Sequence, residues 1–151
     1  MKSELHSKLQ DRAMDYLLAK SYWISAIEMP TLGGIIDVWG LSRALNYLTC
    51  AVEVKVSRQD HRSRSQRWKE YNSGAIANTN YILCPANLIQ PEEVNPYWGL
   101  LWYEEGKKLI NKKQPKFLEQ TDRQKLEALI HFLSSGVNFN KPEITLCPQK
   151  K

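Results

Sequence analysis

The sequence predicts a mixed α/β domain (an α+β arrangement on a mixed sheet), ordered α, β, β, β, α, β, with a hairpin and a last helix added. Three observations predict it. Leu5, Leu9, Ala13, Tyr16 and Leu17 recur at three- and four-residue spacing, the period of an amphipathic helix. From Tyr47 to Ser57, apolar Leu48, Cys50, Val52, Val54 and Val56 alternate with Tyr47, Thr49, Ala51, Glu53, Lys55 and Ser57, the period of a strand. A basic stretch poor in strand formers then separates that strand from the next apolar run, Thr79 to Cys84.

The elements follow in order. Ser3 is a good N-cap for the first helix, which should end near Lys20 or Ser21. Tyr22 to Met29, rich in aromatic and β-branched residues, reads as a strand. Pro30-Thr31-Leu32-Gly33-Gly34 reads as a turn. Gly34 to Trp39 is the second strand, an apolar run broken by Asp37. Gly40 to Asn46 connects it to the alternating third strand, whose regularity predicts one face in the core and one face elsewhere.

The basic stretch should include a helix that ends by Gly74. After the Thr79–Cys84 strand, a loop with Pro85, Pro91 and Pro96 leads to Trp98–Tyr103. Glu105-Gly106 looks like a hairpin turn into Lys107–Asn111. The last helix should begin at Thr121 or Asp122, show an apolar stripe of Leu126, Leu129, Ile130 and Leu133, and stop at Gly136.

Composition sets the class. The chain has 151 residues, 42% hydrophobic and 25% charged, which suits one domain, 1–138, with a tail at 139–151. That apolar and aromatic content excludes wholesale disorder. The apolar runs fall far short of the ~20 residues a membrane span needs, so no membrane partner is expected. Met1-Lys2-Ser3-Glu4 lacks a signal peptide's apolar run. Cys50, Cys84 and Cys147 fit neither a disulfide framework nor a zinc motif, so a cytoplasmic protein with reduced thiols is expected.

Charge is uneven. The formal net charge is +5, yet six basic residues and one acid stand between Lys55 and Lys69, and five lysines with no acid between Lys107 and Lys116. Such stretches attract phosphate polymers, and they also serve as plain solvated surfaces.

Most catalytic signatures are missing. There is no glycine-rich phosphate loop, dinucleotide fingerprint or nucleophile elbow, and His6, His61 and His131 are scattered. What remains is a set of charges on strands. Glu53 and Lys55 are two apart on one strand, so they share a face. Asp37 interrupts the preceding strand, and a short connection between the two lets Asp37 and Glu53 meet. Two neighbouring carboxylates repel, and a divalent cation cancels that repulsion. Hard oxygen donors suit magnesium or manganese. A nearby lysine can orient water and balance charge building on a phosphate. A cross-strand ion pair on an exposed sheet face is the simpler alternative.

Gly33-Gly34-Ile35-Ile36-Asp37 followed by Glu53-Val54-Lys55 resembles the PD-(D/E)xK nuclease superfamily. Glu53 to Tyr71, with Arg67-Trp68-Lys69 near its end, is similar to the MmcB-like DNA-repair proteins and related phage nuclease-like proteins, as is Trp98-Gly99-Leu100-Leu101. The resemblance spans roughly Leu5 to Asn111. It implies a restriction-endonuclease-like αβββαβ core with an added C-terminal hairpin and helix. It also implies a Mg²⁺- or Mn²⁺-dependent nuclease hydrolysing DNA phosphodiesters in repair, recombination or phage DNA processing. Asp37 and Glu53 would be metal ligands, joined by the Val54 carbonyl, with Lys55 as the catalytic lysine. Glu28 is favoured as an upstream acid, with Asp11 as its competitor, and Gln59 and Asp60 lie within reach. Arg58, Arg62, Arg64, Arg67 and Lys69 would hold the phosphate backbone, and a homodimer is possible. Ile36 stands where relatives often carry Arg, and the proline of the superfamily name is absent.

Two other functions remain open from sequence. One is a non-catalytic nucleic-acid-binding module on the same fold. The other is a protein-interaction domain, which exposed Trp98 and Trp102 on an edge hairpin would favour.

Overall fold

Serine at position 3 starts the first helix as expected. Its Oγ accepts the His6 amide at 3.0 Å and caps α1, Glu4–Ala19. The computed structural model describes residues 3–31, 34–59 and 77–134. Within them α1 is followed by β1 (Ile24–Thr31), β2 (Gly34–Ser42), β3 (Leu48–Val54), β4 (Thr79–Pro85), β5 (Gly99–Tyr103), β6 (Ile110–Lys113) and α2 (Asp122–Ser134). The six strands form one mixed sheet in the order β1-β2-β3-β4-β5-β6. Pairing is antiparallel from β1 to β3, parallel from β3 to β5, and antiparallel again between β5 and β6.

Both faces of the sheet are covered. On one face, Leu9, Ala13 and Leu17 of α1 pack against Val38, Val52, Val54 and Leu83. On the other, Ala128 and Phe132 of α2 join Ile36, Trp39, Ala51, Ile82 and Leu100. The Trp39 and Phe132 rings lie 5.7 Å apart, a separation at which aromatic pairs attract.

Several boundaries differ from the sequence expectation. β1 runs on through Pro30 and Thr31, which pair with Ile35 and Gly34, so the turn between β1 and β2 is shorter than the Pro–Thr–Leu–Gly–Gly run suggested. β2 extends to Ser42. β3 ends at Val54, and its second face is not exposed: Thr49, Ala51 and Glu53 are as buried as the valines. A strand in mid-sheet with helices above and below buries both rows, and alternation alone does not reveal that.

The last helix is rotated from its expected phase. Of the expected stripe, Leu126, Ile130 and Leu133 are exposed and Leu129 packs half-buried against the core, which Ala128 and Phe132 face. Trp98 and Trp102 are buried, and Trp102 Nε1 donates to the Ile89 carbonyl at 2.9 Å, so they present no exposed hairpin. The helix expected to end by Gly74 lies outside the described residues, apart from a first turn at Arg58 and Gln59. The proposed tail, 139–151, lies outside them as well.

Buried polar residues brace the end of the sheet far from Glu53. Asn78 Oδ1 accepts the Thr49 amide at 3.0 Å, and Thr49 Oγ1 accepts the Asn78 amide at 3.0 Å. Thr49 Oγ1 also donates to Gln120 Oε1 at 2.6 Å, and Asn78 Nδ2 donates to the Leu118 carbonyl at 2.9 Å. These bonds tie β3, β4 and the segment before α2 together, and they satisfy groups whose burial would otherwise be costly.

Candidate functional site

The site forms where the sheet splits. Strands β2 and β3 pair regularly from Ser42 opposite Leu48 to Val38 opposite Val52. By that register Asp37 and Glu53 come next, but there the ladder stops. β2 stays with β1, through Met29 opposite Ile36. β3 stays with β4, through Val54 opposite Leu83 and a 2.9 Å bond from the Lys55 amide to the Leu83 carbonyl. The two carboxylates fill the gap. Glu53 Oε1 accepts the Asp37 amide at 3.0 Å, and Asp37 Oδ2 accepts the Val54 amide at 2.8 Å.

Lys55 completes the charge set. Its Nζ lies 3.7 Å from Glu53 Oε2, and both side chains are buried. Two acids and one base in a low-dielectric wedge leave one formal negative charge. Asp37 sits at the more open side, and it is there that α1 closes the site. His6 Nε2 lies 3.4 Å from Asp37 Oδ1, and Gln10 Nε2 donates to the Asp37 carbonyl at 3.4 Å. His6 and Gln10 are one helical turn apart, so they present side chains to the same neighbour.

His6 and Gln10 are the residues that sequence reasoning missed. A signal existed: Gln10 is buried among Leu9, Ala13 and Leu17, a polar residue in the apolar stripe of an amphipathic helix. Such a residue needs a partner inside. His6 extends the same row toward the N-terminus.

The other expected site residues fall as follows. Glu28 stands at the β1 register position opposite Asp37, is exposed, and has φ 54°, a left-handed conformation unusual for glutamate. Asp11 is on the exposed side of α1. Neither joins Asp37 and Glu53 in a cage, since among the described residues no three His, Cys, Asp or Glu side chains converge as a metal cluster. Arg58 donates to the Leu88 carbonyl at 2.8 Å and to both oxygens of Glu93. It is held by the protein rather than presented at the wedge. Asp60, Arg62, Arg64, Arg67 and Lys69 lie outside the described residues, and Gln59 is exposed beside Arg58.

The donor set fits a hard divalent cation. Magnesium is commonly held by one or two carboxylates and completes its shell with water and substrate phosphate. Asp37, Glu53 and the Val54 carbonyl would be the protein ligands, all of them oxygen. The alternative of a soft-metal site is not supported, because Cys50 and Cys84 are buried in the two apolar cores.

The sequence matches no family model and no curated protein. Among solved structures, the chain is similar to a protein of unknown function from Silicibacter pomeroyi, with a TM-score of 0.67 and 18% identity over 85% of this chain and 84% of that one. That similarity is one of fold alone.

Proposed function

We propose that this protein is a Mg²⁺- or Mn²⁺-dependent nuclease that hydrolyses DNA phosphodiester bonds. The observation that carries the proposal is the placing of Asp37, Glu53 and Lys55 together where β2 and β3 part. The motif spacing that resembles the PD-(D/E)xK nucleases agrees with it, as does the mixed sheet.

Asp37, Glu53 and the Val54 carbonyl would hold the ion. When bound, it supplies Lewis acidity, which lowers the pKa of a water and offsets negative charge on the scissile phosphate. The chain does the rest. The backbone amides of Asp37 and Val54 each hold one carboxylate oxygen, so the acids are fixed before substrate arrives. The Lys55 ammonium, beside Glu53, orients the attacking water and stabilises charge on the phosphoryl oxygens. Water adds to phosphorus and gives up a proton to solvent, the bridging P–O bond breaks, and the leaving oxygen takes a proton from solvent.

One observation favours a second reading, a nucleic-acid-binding module without turnover. Glu53 and Lys55 are 0% and 1% exposed, and each acid already spends an oxygen on a backbone amide. The same three residues could then serve only to pin the strand ends.

A cleavage assay separates the two. Wild type and Lys55→Ala are incubated with supercoiled plasmid, single-stranded DNA and a branched duplex in Mg²⁺, Mn²⁺ or EDTA. Metal-dependent nicking that vanishes in the folded variant supports the nuclease. Equal cleavage by both proteins rejects Lys55 as a catalytic group, and no cleavage by folded wild type moves the assignment to the binding module.

A further inference from the structure

Helix α1 has a second working side. His6 and Gln10 face the acidic wedge, while Arg12, Tyr16 and Lys20 line two adjoining hollows toward β6. The first hollow, about 330 Å³, is walled by aromatic rings, Tyr16, Tyr22, Tyr81 and Phe117, with the amides of Asn111 and Gln114 at its edge. The second, about 420 Å³, is lined by Arg12, Lys20 and Lys108 with one acid, Asp15. Tyr16 and Lys20 belong to both, so the two hollows lie side by side along α1 and together make a groove.

We propose that this groove binds an unpaired DNA strand, with a base in the aromatic hollow and the backbone phosphates along the basic one. The chemistry matches on both counts. Every base has a π-face, so aromatic walls hold bases without regard to sequence, and cations beside them track the phosphates. Phe117 is 53% exposed, a large aromatic surface presented to solvent. Tyr16 meets Tyr81 edge-on with centroids 6.0 Å apart, so the inner wall is fixed. Lys20 Nζ sits 5.5 Å from the Tyr16 ring centre, placing a cation at the junction of the hollows. Asn111 Nδ2 donates to the Tyr81 hydroxyl at 3.4 Å, which puts a side-chain amide, a group able to pair with the polar edge of a base, at the rim of the aromatic hollow. A base inside a duplex is stacked and paired, so it enters such a hollow only at the cost of unstacking and unpairing, which an unpaired strand does not incur.

The inference deepens the nucleic-acid reading above by naming the form of the strand, and it does not depend on cleavage. Fluorescence anisotropy tests it in EDTA, with a labelled oligothymidylate and a duplex of equal length. Wild type should bind the single strand more tightly than the duplex. Lys20→Gln/Lys108→Gln should weaken that binding about tenfold, and should make the slope of log affinity on log salt shallower by about 1.4, for two lost phosphate contacts. Phe117→Ala should weaken it roughly fivefold or more, the loss of one stacked base. Arg123→Glu, on α2 across the sheet, should change nothing, and circular dichroism confirms that each variant is folded. The proposal is overturned by no binding at low salt, by duplex binding as tight as single-strand binding, or by unchanged affinity in either groove variant. Binding without cleavage in the separate plasmid assay would count against the nuclease alone. Cleavage without oligonucleotide binding would count against the groove alone.

Discussion

Asp37 and Glu53 face each other at the first unpaired register position between β2 and β3, and the Glu53 carboxylate takes the place of a ladder partner by accepting the Asp37 amide at 3.0 Å. Asp37 returns the arrangement by accepting the Val54 amide at 2.8 Å. The carboxylates are therefore both the chemistry and the local structure. A strand split leaves backbone N–H groups without sheet partners, and buried donors need acceptors. Here the acceptors are the acids themselves.

This dual role sets the first prediction. Asp37→Ala leaves the Val54 N–H without its acceptor and should cost about 1–3 kcal/mol in urea unfolding. Asp37→Asn retains an oxygen in the same place and should stay within about 1 kcal/mol of wild type. Under the proposed nuclease activity both should lose metal-dependent cleavage, because an amide is a poor ligand for a hard cation. A stable Asp37→Ala protein would show that the split is held by something other than this bond.

His6 gives the second prediction. Its Nε2 is 3.4 Å from Asp37 Oδ1, close enough to orient that oxygen. Groups that orient a metal ligand typically contribute about 10- to 100-fold in affinity or activity. His6→Ala should therefore weaken Mn²⁺ binding, followed by calorimetry, by about tenfold or more, with little change in melting temperature. A lower melting temperature with unaltered Mn²⁺ affinity would make His6 a packing residue only.

The third prediction concerns the opposite end of the sheet. Asn78 has two side-chain hydrogen bonds, with the Thr49 amide and the Leu118 carbonyl, and is 1% exposed. Asn78→Ala strands buried partners and should destabilise by about 2–4 kcal/mol. Gln120→Ala, which removes one bond to Thr49, should cost less. Denaturant midpoints at equal m-values would check the ranking.

How much of this was legible in the sequence depends on whether the deciding interaction was local. The Ser3 cap, the α1 stripe and the Asp37–Glu53–Lys55 spacing are local patterns, and the structure places those three site residues together. The phase of α2 was not legible. Its sequence holds two apolar rows, and what selects Phe132 over Leu126 and Ile130 is the Trp39 ring beneath it, far away in sequence. Whether Trp98 and Trp102 are exposed was open for the same reason, since a hairpin pattern does not say what covers it; the structure buries both. Gln10 could have been read as functional from its place in the α1 stripe. His6 could not, because only folding brings it to Asp37.

The buried thiols give the last prediction. Burial pushes the Cys50 thiol up to about 12 and the Cys84 thiol up to about 11, because neither core solvates a thiolate. An unfolded cysteine titrates near pH ~8.5. Between about pH 8.5 and 11 the unfolded chain releases protons that the folded chain retains. The stability these thiols contribute is thus fully present below that window and falls as pH rises through it. Tyr22 and Tyr81, also raised by burial, add a loss of the same sign at higher pH. Replacing both cysteines with alanine should flatten the fall in denaturant midpoint between pH 8 and 10 while leaving the tyrosine contribution in place. In a Cys147→Ser background at pH 8, native protein should react with a disulfide reagent no faster than it unfolds, since the nucleophile is the thiolate. Rapid reaction without unfolding would show that one of the two cores opens locally, and a pH profile unchanged by the double alanine variant would show that the thiols do not carry the linkage.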